Sequence, residues 1–172
     1  MGLWARWYQG LTEPEPYGDT TTYQLGADWL ADCPLVEDWG CGKGWLRTFI
    51  PADRYRGIDG SVSLFVDEVA DLAVYRSEVA GVFIRHVLEH DYRWPAILDN
   101  AAASAQERLV VILFTPPADT THEIAYAADP GVPDIAFCLE DLTDRLEGFT
   151  WNTAQYETAT QYGIETVILA ER

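Results

Sequence analysis

The chain has 172 residues, of which 48% are hydrophobic and 23% are charged, as is typical of one globular domain with a single buried core. Its 28 acidic residues outnumber 11 lysines and arginines, which gives a formal net charge of -17. A surface of this average sign repels phosphate polyanions, so we do not expect nucleic acid as a partner.

The predicted elements of the first half alternate between helix and strand. Apolar residues at helical spacing predict helices, and short apolar runs between turn residues predict strands. In chain order, we predict an irregular lead-in with Pro14, Pro16 and Gly18, a helix that Asp19 caps and that places Tyr23, Ala27 and Leu30 on one face, a strand that opens at Leu35-Val36, a helix with Trp45, Leu46, Phe49 and Ile50 that Pro51 ends, and a strand from Tyr55 to Asp59.

The second half continues the alternation, which is typical of the α/β class. The run 109–114 is apolar at every position, as a strand covered on both faces must be. In chain order, we predict a short strand at 69–72, a strand from Gly81 to Arg85, a helix from Trp94 to Ala105, a strand from Leu109 to Phe114, a Pro-rich segment from Thr115 to Pro133, a helix near Leu139 to Leu146, and two β-rich runs, Trp151 to Thr158 and Ile164 to Leu169.

The most informative stretch is the motif D-W-G-C-G-K-G at 38–44, which follows the first predicted strand. A glycine turn between a strand and a helix lets backbone N–H groups approach a ligand and directs a helix N-terminus at it. A second acid, Asp59, ends the next predicted strand, where a carboxylate can accept both hydroxyls of a ribose. The pair predicts a nucleotide-type cofactor site. The alternative is a glycine-rich turn in an ordinary α/β domain.

Glycine spacing distinguishes between cofactors. The dinucleotide fingerprint requires G-x-G-x-x-G, and counting from Gly40 its third glycine would fall at Trp45. The spacing that remains, D-x-G-x-G-x-G, closely resembles the first signature of class I S-adenosylmethionine-dependent methyltransferases. In that family the glycine loop faces the methionine part of the cofactor, and the acid that corresponds to Asp59 holds the ribose.

The resemblance extends over most of the chain and implies an α/β fold with a doubly wound, mostly parallel seven-stranded sheet, helices on both faces and an antiparallel C-terminal strand pair. It implies one domain over 1–172, in which 1–34 form a lead-in and a helix that cover the cofactor site. The segment 57–61 and the segment 85–90, R-H-V-L-E-H, are similar to further signatures of the family. The implied S-adenosylmethionine-binding residues are Asp38, Gly40, Cys41, Gly42, Gly44, Asp59, Gly60, Asp71, Leu72, Arg85 and Tyr23.

Two of these implied contacts have ordinary structural alternatives. In relatives, an acid at the position of Asp71 contacts the adenine amino group and an apolar neighbour packs on the ring, but Asp71 can also simply end a strand. Tyr17 and Tyr23 are placed to cover the carboxylate end of the cofactor, although aromatic residues on a helix face are more often part of the core.

The segment 85–90 also matches a metal motif. His86, Glu89 and His90 form H-x-x-E-H, which on a long helix provides two imidazoles for zinc. The motif directly follows a strand-like run and Pro95 interrupts the chain soon after, so we predict that no metal is bound. For a hydroxyl acceptor, His90 and His86 are the candidate catalytic bases near neutral pH. The alternative is that they bind backbone carbonyls or line the cofactor.

The signatures leave the methyl acceptor open. Methylation of adenine or cytosine amino groups uses an Asn/Asp-Pro-Pro-aromatic tetrad after the fourth strand, and this chain has R-H-V-L there, whereas T-P-P-A at 115–118 lacks both the amide and the aromatic. Carbon-5 pyrimidine methylation requires a cysteine near the glycine loop's partner strands, and Cys33 lies ahead of the first strand. We therefore predict in-line methyl transfer to an oxygen or nitrogen of a small molecule or protein side chain. The alternative is a non-catalytic S-adenosylmethionine-binding sensor or assembly module, because the chain has little that could form a substrate cap. The sequence indicates no oligomeric state.

The cellular location is inferred from cysteines and from the N-terminus. Cys33, Cys41 and Cys138 are an odd number without a C-x-x-C pair, which fits a reducing compartment. The first residues have no apolar signal core, and no apolar run approaches membrane-spanning length. We expect a cytoplasmic protein with no membrane partner.

Overall fold

The computed structural model describes residues 2–172. Its strands are β1 (Val36–Trp39), β2 (Tyr55–Asp59), β3 (Glu68–Val69), β4 (Val79–Arg85), β5 (Ala105–Leu113), β6 (His122–Ala127), β7 (Val132–Ala136), β8 (Thr150–Glu157) and β9 (Ile164–Glu171). Its α-helices are α1 (Thr21–Trp29), α2 (Trp94–Ser104) and α3 (Leu139–Thr143). Single turns of 3-10 helix are formed by Ala5–Trp7, Trp45–Thr48, Ala52–Arg54 and Leu88–His90.

The main sheet has seven strands in the order β3-β2-β1-β4-β5-β9-β8. The strands from β3 to β5 are parallel, and β9 pairs antiparallel with both β5 and β8. The strand order reverses between β1 and β4, and ligands of open α/β sheets bind in the crevice at such a reversal. The predicted doubly wound sheet with an antiparallel C-terminal pair is confirmed.

Two apolar cores cover the two faces of this sheet. Val82 and Ile84 pack in the core that contains α2, whereas Phe83 packs in the core that contains α1. On β5, Leu109 packs in the core that contains α2, and Val110 packs in the core that contains α1. Because successive side chains of a strand point to opposite faces, a strand covered on both sides must be apolar throughout. Each fully buried side chain of this kind contributes about 1.5–3 kcal/mol through removal from water.

The short strand predicted at 69–72 is observed as Glu68–Val69, and the helix predicted near Leu139 to Leu146 ends at Thr143. Two other regions differ more from the sequence prediction. The helix predicted over 45–50 is a single 3-10 turn, Trp45–Thr48, because Gly44 precedes it in a left-handed conformation and Pro51 disfavours helical backbone at the residue before it. The segment 115–133, described from the sequence only as Pro-rich and without a predicted strand, contains β6 and the start of β7, which pair as a separate antiparallel hairpin. Most residues of β6 are exposed, so it lacks the alternation of apolar and polar residues that identifies a half-buried strand.

No helix within residues 2–172 combines the length and the apolar character that crossing a membrane requires.

Candidate active site

A cavity of about 920 Å³ opens where β1, β2 and β4 end, a volume near the upper limit of ligand pockets, about 300–1,000 Å³. We divide its lining into two parts. The glycine-loop half is formed by Gly40, Asp59, Gly60, Asp71 and Leu72, and the aromatic half by Trp4, His90, Phe114, Tyr126 and Asp134. Arg85 and His86, at the end of β4, also line the cavity. In the sheet, β4 lies between β1, which precedes the glycine loop, and β5, which precedes Phe114.

The glycine loop is folded back against the end of β2. Gly40, Gly42 and Gly44 have φ angles of 77°, 50° and 72°, a left-handed conformation that side chains other than glycine rarely adopt. The Gly40 N–H donates to the carbonyl of Ile58 at 2.7 Å, and the Gly42 N–H donates to Asp59 Oδ2 at 2.9 Å. The loop therefore takes its shape from backbone hydrogen bonds and from one carboxylate.

Asp59 binds the glycine loop and also lines the cavity. Its Oδ2 accepts a hydrogen bond from the Gly42 N–H, and its Oδ1 accepts one from the Ser61 N–H at 2.7 Å. Asp59 is only 5% exposed. Burial raises the pKa of Asp59 to about 6, against the opposing effect of the two backbone hydrogen bonds. A carboxylate has about four lone-pair sites, so each oxygen can still accept a hydroxyl from a ligand.

Several predicted cofactor residues do not line the cavity. Asp38 accepts the Tyr55 hydroxyl at 2.9 Å, and burial raises the pKa of Asp38 to about 7. The Cys41 Sγ contacts the Phe65 carbonyl at 3.7 Å. Neither Asp38 nor Cys41 lines the cavity, and the same holds for the predicted residues Gly42 and Gly44. Asp38 therefore lies behind the loop, whereas Cys41, Gly42 and Gly44 belong to the loop without lining the cavity.

Asp71 and Leu72 follow β3 and line the cavity as predicted residues of the adenine end. Leu72 is buried, and Asp71 is exposed. Asp71 pairs with Arg93 Nη1 at 2.7 Å, and the hydrogen bond from Arg93 holds the pKa of Asp71 below its usual value. The predicted contact of Asp71 with adenine stays a prediction.

Arg85 is held in one orientation by buried partners. Its Nη2 donates to the carbonyls of Tyr17 at 3.0 Å and Asp19 at 3.1 Å and lies 2.7 Å from Glu165 Oε1. Its Nη1 is buried and has no hydrogen-bond partner in the described chain, and an anionic ligand group can satisfy such a donor. Tyr23 lies in the core with its ring centroid 4.0 Å from Arg85 Cζ; it does not line the cavity.

His86 is engaged by a buried acid. It lies in the left-handed region at φ 56°, which costs about 1–2 kcal/mol, and its Nε2 lies 2.6 Å from Glu165 Oε1. Burial lowers the pKa of His86 to about 4, so the imidazole is neutral and donates its Nε2 proton to Glu165. Burial alone raises the pKa of Glu165, but the hydrogen bond from His86 and the charge of Arg85 bring it below its usual value.

The Nδ1 of His90 is hydrogen-bonded, whereas its Nε2 has no partner among the described residues. Its Nδ1 lies 3.0 Å from the carbonyl of Pro133 and 3.4 Å from Asp134 Oδ1, whereas Nε2 has no hydrogen bond to the described residues. Asp134 accepts the Tyr162 hydroxyl at 2.8 Å. Burial lowers the pKa of His90, which keeps the ring neutral. A neutral imidazole whose Nδ1–H is bound presents Nε2 as a proton acceptor.

The H-x-x-E-H motif does not form a common ligand set. His86 binds Glu165, His90 binds Pro133, and Glu89 Oε1 accepts the Phe114 N–H at 2.6 Å. Residues 2–172 contain no group of three or more His, Cys, Asp or Glu side chains that could hold a metal. The absence of a metal requirement stays a prediction. Glu89 is fully buried, and burial raises its pKa to about 8.

Sequence reasoning missed Glu165, Asp134 and the aromatic residues Trp4, Phe114 and Tyr126. Glu165 is the one acid within the apolar part of β9, which is the signal that could have identified it as a buried partner. The others have no local signal, because their neighbours are far away in sequence.

Solved structures match this chain, whereas no protein-family model and no curated protein does. Magnesium protoporphyrin IX methyltransferase (ChlM) from Synechocystis PCC 6803 with bound S-adenosylmethionine has a TM-score of 0.66 and 20% identity over 89% of this chain and 79% of that chain. 1,6-Didemethyltoxoflavin-N1-methyltransferase from Burkholderia thailandensis, with its acceptor and S-adenosylhomocysteine, has a TM-score of 0.69 and 16% identity over 90% and 79%. The [4+2]-cyclase SpnF has a TM-score of 0.64 and 14% identity over 88% and 80%. The chain therefore has the fold of class I S-adenosylmethionine-dependent methyltransferases.

Proposed function

We propose that this protein is an S-adenosylmethionine-dependent methyltransferase that methylates an oxygen or nitrogen atom of an acceptor, in the first place a small molecule. The observation that carries the proposal is the continuity of one cavity from Asp59, beside the glycine loop, to His90, whose Nε2 has no hydrogen bond within residues 2–172. Asp59 is suited to bind the hydroxyls of a ribose, and Nε2 of His90 is suited to accept a proton. Two of these structural relatives, the magnesium protoporphyrin IX and the 1,6-didemethyltoxoflavin methyltransferases, contain bound S-adenosylmethionine or its product, which supports the same cofactor here.

The residues at the glycine-loop half fit this cofactor. Asp59 retains lone pairs for two ribose hydroxyls. Leu72 offers an apolar surface to the adenine ring. The unpartnered Nη1 of Arg85 suits the methionine carboxylate. Tyr8 and Tyr17 of the N-terminal segment also line the cavity, so we propose that this part of the segment covers the bound cofactor.

When bound, S-adenosylmethionine would supply a methyl group that is attached to a positively charged sulfur. A lone pair of the acceptor would form the new bond to the methyl carbon, while the carbon–sulfur bond breaks and its electrons stay on sulfur. His90 Nε2 takes the proton of a hydroxyl acceptor, and Pro133 and Asp134 hold the Nδ1–H side of the ring. His86 is a positioning residue, because its Nε2 is committed to Glu165.

The other function that the sequence leaves open is a sensor or assembly module that binds the cofactor without turnover. A module of this kind needs no space beyond the cofactor. The cavity extends past Arg85 to His90, Phe114 and Asp134, which favours the enzyme. The net charge of -17 opposes nucleic acid as the acceptor, and we propose that the enzyme acts in the cytoplasm.

Native mass spectrometry tests the proposal without knowledge of the acceptor. The purified protein is mixed in turn with S-adenosylhomocysteine and with NAD at equal concentration. We expect one S-adenosylhomocysteine per chain and no NAD, because Trp45 occupies the place of the third dinucleotide glycine. An NAD adduct without an S-adenosylhomocysteine adduct would falsify the proposal.

A further inference from the structure

Aromatic rings from three separate segments line the aromatic half of the cavity. The centroids of the Trp4 and Phe114 rings lie 5.4 Å and 5.3 Å from that of His90. Tyr126, on the hairpin, lines the same space and is 56% exposed. Aromatic rings pack best against flat aromatic partners, in offset-stacked or edge-to-face arrangements. The proton acceptor is therefore surrounded by surfaces that suit a planar molecule.

Hydrogen bonds to side chains hold the backbone of two residues that carry these rings, Trp4 and Phe114. The Trp4 N–H donates to Ser61 Oγ at 3.1 Å, and the Ser61 N–H donates to Asp59. On the other side, the Phe114 N–H donates to the buried Glu89 at 2.6 Å. Because both backbones are held, little ordering remains to be done when a ligand binds between these segments.

Acids line the aromatic half of the cavity, whereas no lysine or arginine of the described residues lines that half. Asp134 and Asp129 line the cavity near the hairpin, and Asp129 pairs with Arg6. Among residues 2–172, the lysine and arginine side chains that line the cavity are Lys43, Arg85 and Arg93, and each pairs with an acid, namely Glu15, Glu165 and Asp71. None of the three belongs to the aromatic half. A carboxylate or phosphate on the acceptor would meet Asp134 with no cation to balance it.

We propose that the acceptor is a planar aromatic molecule with a phenolic hydroxyl and with no carboxylate or phosphate. This inference rests on the proposed methyl transfer. A phenol has a pKa near 10, as in tyrosine, which lies within reach of an imidazole base, whereas an aliphatic alcohol is a far weaker acid. The phenol oxygen gains the methyl group as its proton passes to Nε2 of His90, and the products are an aryl methyl ether and S-adenosylhomocysteine.

A matched set of small molecules tests the acceptor class by binding. Calorimetry with saturating S-adenosylhomocysteine compares 4-methylphenol with 4-hydroxybenzoate, which adds a carboxylate, and with 4-methylcyclohexanol, which lacks the aromatic ring. We expect 4-methylphenol to bind about tenfold more tightly than either and to be the one that is methylated when S-adenosylmethionine is supplied. Equal or tighter binding of 4-hydroxybenzoate or 4-methylcyclohexanol overturns the inference.

Two variants link this selectivity to the proposed residues. Asp134→Asn should reduce the preference for 4-methylphenol over 4-hydroxybenzoate by about threefold or more, since one opposing charge is removed. The control Asp53→Asn removes an exposed charge outside the cavity and should leave the preference unchanged. Trp4→Ala should weaken the binding of 4-methylphenol about tenfold. An unchanged preference in Asp134→Asn overturns the charge argument.

The failure of this inference is distinguishable from the failure of the proposed function. Binding of S-adenosylhomocysteine without binding of 4-methylphenol overturns the acceptor class and leaves the cofactor assignment intact. No binding of S-adenosylhomocysteine overturns both.

Discussion

The two halves of the cavity are constructed in different ways. The glycine-loop half comes from the ends of adjacent parallel strands, and its internal contacts are backbone hydrogen bonds to Ile58 and to Asp59. The aromatic half is assembled from the N-terminal segment, the turn Leu88–His90, the end of β5 and the hairpin. Its internal contacts join residues far apart in sequence, such as His90 and Pro133.

This difference predicts a separation of effects. Substitutions in the aromatic half should change turnover and acceptor binding while the cofactor still binds. Substitutions around Asp59 and Arg85 should change cofactor affinity. A substitution that changes both cofactor affinity and acceptor binding would show that the two halves are not separate.

The largest effect is expected for His90→Ala with a hydroxyl acceptor. Turnover should fall by about 10²–10⁴-fold, the usual loss for a general base, with the affinity for S-adenosylhomocysteine within about twofold of wild type. Steady-state kinetics and calorimetry measure the two quantities. His122→Ala is the control, since His122 is exposed on β6 and does not line the cavity. Equal, small effects of both substitutions would show that His90 is not a base.

His86→Ala should act mainly on the cofactor. Its loss removes the hydrogen bond to Glu165, which in turn holds Arg85. We expect cofactor affinity to fall by about tenfold and the free energy of unfolding by about 1–3 kcal/mol, the cost of an unsatisfied buried partner. Calorimetry and urea unfolding check both. A variant with normal cofactor affinity and impaired turnover would make His86 part of the acceptor side and break the separation.

Cofactor affinity should depend on pH through Asp59. Its pKa is about 6, and ribose hydroxyls donate to the ionised carboxylate, so binding should be constant above pH 7.5 and weaken as the pH falls through 6. The limit is about tenfold per pH unit, because one proton is involved. The measurement is the Kd for S-adenosylhomocysteine from pH 5 to 8. Asp59→Asn should abolish the dependence; a dependence that persists in this variant must come from another group.

The smallest effect concerns Glu89, which supports the aromatic half through Phe114. Burial raises the pKa of Glu89 to about 8, so the folded protein binds a proton that the unfolded chain releases, and stability decreases as the pH rises through this value. Between pH 7 and 8.5 we expect a loss of about 1 kcal/mol in the free energy of unfolding. Glu89→Gln should flatten this profile in urea unfolding, and the exposed control Glu147→Gln should not.

The same contrast explains what the sequence could predict. The strand Tyr55 to Asp59 is observed with the predicted bounds, and Asp59 lies beside the glycine loop, because an apolar run and a glycine motif are local signals. The helix predicted over 45–50 was wrong in extent, since a left-handed Gly44 and Pro51 leave room for one turn only. The spacing of apolar residues alone does not predict where such a helix must end.

The aromatic half could be predicted only in part. His90 was a candidate base, but Asp134, which faces its Nδ1, lies on a strand that carries Pro133 and pairs with the exposed β6. Proline is rare in strands, so this hairpin gave no strand signal. Trp4 reaches the site through one hydrogen bond to Ser61, 57 positions away in the chain. Contacts of this kind follow from the fold and have no signature in the neighbouring residues.

The central claim is that the glycine-loop half holds S-adenosylmethionine through Asp59, and the most direct measurement is a calorimetric titration with S-adenosylhomocysteine. Wild type should bind one molecule per chain, Asp59→Asn should weaken binding by about 1–3 kcal/mol through lost charged hydrogen bonds, and the distant exposed variant Asp53→Asn should bind as wild type does. Absence of binding by wild type, or equal affinity in Asp59→Asn, would contradict the account.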